Sequence, residues 1–203
     1  MNFRILAVAL GLAGVEPLSA CAQDKAAAKQ RVEENRASAP STPGLGDFRS
    51  SGRHYQFASG IRAVALADGD TGDRALTSVG ASPSDLIETR GKYVFFRKQA
   101  KGPMAAQRSA NGRPTLPVAV NVRTGGLGVV PGTLTARLKP ASDGRTIAAE
   151  RGIELLLETS HLGAAFFRVP VGRDIPAAAA ALASDPRVLS AEIDVQEYFA
   201  EPQ

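Results

Sequence analysis

From Thr133 to Lys139 apolar and polar residues alternate, with Leu134, Ala136 and Leu138 on one face and Thr133, Thr135, Arg137 and Lys139 on the other. A period of two predicts a half-buried strand. Pro140 ends it, Ser142 or Asp143 can cap a short helix running to Arg151, and Gly152 is placed as that helix's stop. Ile153 to Glu158 predicts an apolar strand carrying two carboxylates, after which Ser160-His161-Leu162-Gly163 reverses the chain. In Ala164 to Val169, Ala165, Phe167 and Val169 share one face while Ala164, Phe166 and Arg168 share the other. Asp174 precedes Ile175-Pro176 and a run of alanines, so a helix is expected with Asp as cap, Pro near its first position and a stripe of Ile175, Ala178, Ala179 and Leu182. Asp185-Pro186 ends it. The last strand is expected to point Leu189, Ala191, Ile193 and Val195 inward and Ser190, Glu192, Asp194 and Gln196 outward.

This order, strand, helix, strand, strand, helix, strand, predicts an α+β fold whose residues 131–203 form a ferredoxin-like split βαββαβ unit with both helices on one face. The opposite face carries Thr133, Thr135, Arg137, Phe166, Arg168, Glu192 and Asp194. A solvated face is the plain expectation for an antiparallel sheet. An aromatic flanked by a Glu-x-Asp pair, beside an extension from Glu197 to Gln203, points equally to a docking surface.

Residues 54–130 show short apolar runs between turn residues, the pattern of a small β-rich domain. Candidate strands are Ile61 to Leu66, Lys92 to Lys98, and Leu116 to Arg123; Thr124-Gly125-Gly126 then reads as a hairpin turn into Leu127 to Val130. Leu86 to Thr89 fits a strand or a helical turn. Lys98 to Pro114 is expected as an exposed loop. Gly126-x-Gly128 is no nucleotide loop, because a strand rather than a helix follows it.

The first 20 residues point to export rather than to part of the folded body. Arg4 leads an apolar run from Ile5 to Val15, too short to span a bilayer, and Leu18-Ser19-Ala20-Cys21 follows, so a signal peptide is expected. That tetrapeptide resembles a lipobox with Cys21 as the acylated residue, and Ala20-Cys21-Ala22 also fits ordinary cleavage. Residues 21–53 turn to Lys, Gln, Glu, Ser, Pro and Gly and read as a disordered tether. The expected location is the periplasm, with a lipid anchor to the outer membrane through Cys21 under the first reading. Cys21 is the sole cysteine, so the folded body has no disulfide or thiolate metal site.

Hydrophobic residues make up 44% of the chain, enough for a globular core, and the net charge is +4. From Gly132 onward there are 7 Lys/Arg against 10 Asp/Glu, and between Cys21 and Pro131 there are 16 against 9. No basic run is interleaved with aromatics, so no nucleic acid partner is expected. No catalytic residue is expected either: His54 and His161 lack a Cys or Ser elbow, and Asp68 and Asp70 sit in a turn with too few oxygens for a metal. No cofactor is implied.

Gly132-Thr-Leu-Thr-Ala-Arg-Leu-Lys-Pro, Phe166-Phe-Arg-Val-Pro-Val-Gly-Arg-Asp and Ala181-Leu-Ala-Ser-Asp-Pro-Arg-Val-Leu-Ser-Ala-Glu together resemble the propeptides of subtilisin-like serine proteases. The resemblance covers residues 131–203. It implies that the open sheet face packs on a protease, that an acidic Glu-x-Asp, here Glu192 and Asp194, caps two protease helices, and that the C-terminal tail lies in the substrate cleft. No protease follows in the sequence, so the chain is similar to the stand-alone external chaperones of secreted subtilases. The protease-binding residues so implied are Phe166, Glu192, Asp194 and the tail Tyr198, Phe199, Ala200, Glu201, Pro202 and Gln203. Counting from the acidic pair puts Ala200 in the primary specificity pocket; counting from the end puts Gln203 there. The competing expectation is an envelope assembly lipoprotein with no protease partner. Because the alanine-rich C-terminal unit is small, the β-rich part is expected to buttress it.

Overall fold

The computed structural model describes residues 46–98 and 104–197. Its first strands build a seven-stranded sheet. β1 (Asp47–Ser50) turns through Ser51-Gly52 into β2 (Arg53–Ala65), which pairs on its two sides with β4 (Tyr93–Arg97) and β6 (Pro114–Asn121). β3 (Leu86–Arg90), β5 (Gln107–Arg108) and β7 (Leu127–Val129) complete the order β3-β4-β2-β6-β5, with β1 added to β2 and β7 to β6. Alternation in β4 sends Val94 and Phe96 toward α1 (Gly72–Ser78), which buries Ala75 and Leu76 there, while Tyr93 and Phe95 join Ile61, Ala63 and Val129 on the other side.

The second sheet contains β8 (Thr133–Leu138), β9 (Glu154–Thr159), β10 (Ala164–Arg168) and β11 (Val188–Ile193), antiparallel, in the order β11-β8-β10-β9. α2 (Gly144–Arg151) joins β8 to β9, and α3 (Ile175–Ala183) joins β10 to β11. Their caps are the ones expected. Asp143 accepts from the Arg145 N–H, Asp174 accepts from the Ala177 N–H, and Gly152 ends α2 at φ 63°, a left-handed turn that glycine adopts without a Cβ clash. Ile147, Ala148, Ile175, Ala178 and Leu182 cover Leu134, Ala136, Leu138, Ala165 and Phe167. Glu158 leans to the same side, where its Oε2 accepts from the Gly144 N–H at the start of α2.

One core joins the two sheets. Tyr55, Phe57, Met104, Ala119 and Val130 belong to the cluster under α2 and α3. Three expectations change accordingly. Residues 47–50, expected within the tether, form β1 instead, because Phe48 stacks on Tyr55 and packs at a tilt against Phe57 and so draws the strand onto the sheet. The loop read as exposed is buried at Met104, Ala105 and Ala106, its backbone being tied to α3: Met104 N–H donates to Asp174, and Ile175 and Gly172 N–H donate to the Met104 and Ala106 carbonyls. Leu189 is 59% exposed rather than inward, since a register shift between Val188 and Ser190 gives Val188 the inner position. The short helix α1 was not foreseen; Thr71 caps it by accepting from Arg74 N–H.

The Ser-Asp-Pro-Arg-Val corner is held by charge. Asp185, its side chain wholly buried, accepts from the Arg187 backbone and guanidinium and from Arg151 at 2.8 Å, and Arg187 also pairs with Glu150. The hydrogen bonds from Arg187 first, and from Arg151, hold the Asp185 carboxyl far below the ordinary carboxylate range. A depressed folded value means that this stabilisation is present above the unfolded pKa and is lost as pH falls through the folded one. Asp185→Asn is therefore expected to cost about 2 kcal/mol at pH 7, measured by urea unfolding, with the gap to wild type narrowing below about pH 4.

Candidate docking face

The side of the β8–β11 sheet away from the helices is a row of side chains whose order follows from register. Glu192 pairs with Thr135, Thr135 with Phe166, and Phe166 with Leu157, so these four cross the sheet in one line. Arg168 stands beside them, 3.7 Å from Glu154. Phe166 is half-buried, Leu157 is 55% exposed and its neighbour Leu156 37%. Leu157 escaped the sequence reading because a bulge between Phe166 and Phe167 sets β9 out of simple alternation.

Glu192 and Asp194 lie two positions apart and so project from the same face. Glu192 is exposed, with one oxygen accepting from Ser51 N–H at 2.9 Å in the β1–β2 turn. Asp194 is half-buried, and its backbone N–H donates to the Thr133 carbonyl. Burial pushes the Asp194 carboxyl above its ordinary value, and the Val195 N–H offsets this only in part. A raised carboxylate pKa makes the folded chain less stable as pH rises through it. Asp194→Asn is therefore expected to raise the melting temperature slightly at pH 7, with the difference from wild type shrinking as pH falls, as read by calorimetry.

Beyond β11 the chain crosses to the other sheet. Val129 and Gln196 exchange backbone hydrogen bonds, each at 2.9 Å. Gln196 is thus not an outward strand residue, and Glu197, read as the start of a free extension, is buried. The sequence reading missed both because their partners stand on β2, β4, β6 and β7 and in the turn after β6, far away in the chain. The remaining tail positions Tyr198, Phe199, Ala200, Glu201, Pro202 and Gln203 lie outside the described residues, as does Cys21. His54 lies in β2, 3.5 Å from Asp47, and His161 in a single-turn helix, Ser160–Leu162. Among the described residues there is no cluster of three or more His, Cys, Asp or Glu able to hold a metal.

The family described as Open reading frame 2 N-terminal domain matches residues 89–202. That is more than half of the chain. The chain belongs to this family. The Open reading frame 2 N-terminal domain as matched includes β4, β6 and β7 together with the whole second sheet, so it spans the junction at residues 130 and 131 that the core also spans. Among solved structures, a chain from the crystal structure of the Aeromonas sobria serine protease and chaperone complex is similar at 23% identity over 42% of this chain and 82% of that one, with a TM-score of 0.35. No curated protein matches.

Proposed function

We propose that the chain is an external chaperone and inhibitor of a secreted subtilisin-like serine protease. The observation that carries this reading is the acidic pair Glu192 and Asp194 on an open sheet face, within a unit whose segments resemble subtilase propeptides. A carboxylate accepts the unpaired N–H groups of a helix N-terminus and complements its dipole, a gain of about 0.3–1 kcal/mol when exposed and more when solvent is excluded. Phe166, with Leu157 beside it, supplies the apolar centre of the contact, and an interface of roughly 800 Å² on each side suffices for a specific complex. Tyr198, Phe199, Ala200, Glu201, Pro202 and Gln203 then follow in the substrate cleft, where strand addition gives main-chain hydrogen bonds irrespective of side chains. Subtilisin-like proteases contain a parallel sheet of non-local contacts and fold slowly. A protein that binds the native arrangement and not the unfolded chain stabilises it by mass action and blocks the cleft afterwards. Export by the N-terminal apolar run, with Cys21 as the acylated residue, places the chaperone beside its client.

Peptide hydrolysis by a subtilisin-like protease, titrated with residues 22–203 and with a version ending at Glu197, tests this. Stoichiometric inhibition is expected from the first and none from the second. Absence of inhibition by either, across several such proteases, favours an envelope assembly role instead.

A further inference from the structure

The crossing of the chain from β11 to the N-terminal sheet has the features of a built socket. Tyr55 Oη and Asn121 Nδ2 donate to Glu197 Oε2 at 2.9 and 3.1 Å, Thr124 Oγ1 donates to Oε1 at 3.3 Å, and Arg53 stands 3.5 Å away. Tyr93 donates to Gln196 Oε1 at 3.0 Å. The wall is cut to fit. A Cβ on Gly126 would lie 2.5 Å from Glu197 Oε1, and one on Gly128 would lie 2.5 Å from Val195 Cγ1. Burial works against the Glu197 charge, but hydrogen bonds from Asn121, Tyr55 and Thr124 and the nearby Arg53 outweigh it and hold the carboxyl below its ordinary value.

Apolar residues would hold a chain segment down at least as well as a buried carboxylate does, so packing alone is a poor reason for this choice. A carboxylate in a socket of four donors does something apolar contacts do not. If the segment slipped by one residue, the donors would face the uncharged Gln196 or Tyr198 in place of a carboxylate with two accepting oxygens, and Arg53 would lose this counter-charge, so the socket favours one register.

We infer that Glu197 is a positioning residue and that the N-terminal sheet is a holder, locking Val195–Glu197 so that the residues after Glu197 are presented to the protease from a fixed point. This rests on the protease-inhibitor reading. Fixing the root of a binding segment in advance removes part of the ordering cost at each encounter; three residues left to be ordered on binding weaken it by about ten-fold or more.

The test uses the whole protein with Glu197→Ala and, as a milder change that removes one donor, Tyr55→Phe. Amide hydrogen exchange at Gln196 and Val129 is expected to quicken at least ten-fold in Glu197→Ala and less in Tyr55→Phe, with β8 and β10 amides unchanged. Unchanged exchange at Gln196 in both variants overturns the holder. Inhibition of a subtilisin-like protease is expected to weaken about ten-fold in Glu197→Ala and in proportion to the exchange in Tyr55→Phe. Fast exchange with wild-type inhibition overturns the positioning role. If wild-type protein does not inhibit at all, the inhibitor reading falls and positioning with it, while exchange alone still decides the holder. If Glu197→Ala does not fold, Tyr55→Phe decides both points.

Discussion

Residues 131–203 produced alone are expected to show no cooperative thermal transition, whereas the whole protein melts as one unit. The C-terminal sheet and its helices look self-sufficient by connectivity, but their core is not closed by their own residues. Tyr55, Phe57, Met104 and Ala119 come from the other sheet and its loop, and each is buried in the same cluster as Phe167 and Leu182. Full burial of a large apolar side chain contributes about 1.5–3 kcal/mol. Losing Tyr55, Phe57 and Met104 together thus removes as much as the 3–5 kcal/mol that a core of roughly 70 residues supplies. The alanines of α3 make matters worse, since Ala177, Ala180 and Ala183 are exposed and only Ile175, Ala178 and Leu182 are buried. Calorimetry of the fragment against the whole protein decides this; a transition at the same temperature refutes the shared core.

Phe167→Ala is expected to lower the unfolding free energy by about 3–5 kcal/mol. Phe167 is 0% exposed and sits on β10, a central strand of the second sheet, where Leu134 is its cross-strand partner. Strands flank it on both sides and the helices cover it, so the surroundings cannot easily collapse into the space it leaves. Phe166→Ala, one residue away and half-buried on the open face, is expected to cost much less in urea unfolding, while its main effect falls on protease binding. Similar stability losses at both positions would show that the open face is structural rather than available to a partner.

The second sheet was legible because its information is local. Alternation in Thr133–Leu138, Asp143 and Asp174 before helices, and Gly152 after one are each readable within a few residues, and each appears where the pattern put it. The face bearing Phe166 and Glu192 followed from the same period of two. What was hidden depends on contacts distant in sequence. β1 forms because Phe48 meets Tyr55 and Phe57, and Met104–Ala106 is buried because Arg62 and the start of α3 satisfy its backbone. Glu197 looked like the first residue of an extension, since nothing adjacent to it marks a socket whose walls are Tyr55, Asn121 and Thr124. Leu189 was misplaced for a simpler reason: one bulge reverses the facing of the residue before it.

As the proposed external chaperone, this protein is expected to guide the folding of a subtilisin-like protease. That role is tested most directly by diluting a denatured mature protease of that class into native buffer with and without one equivalent of the protein. The yield of folded protease is then read as a stable complex by size-exclusion chromatography and amide protection. At least a ten-fold higher yield is expected with the protein present, together with a loss of most of that gain when Glu192 and Asp194 are both replaced by alanine. Equal yields with and without the wild-type protein would contradict it.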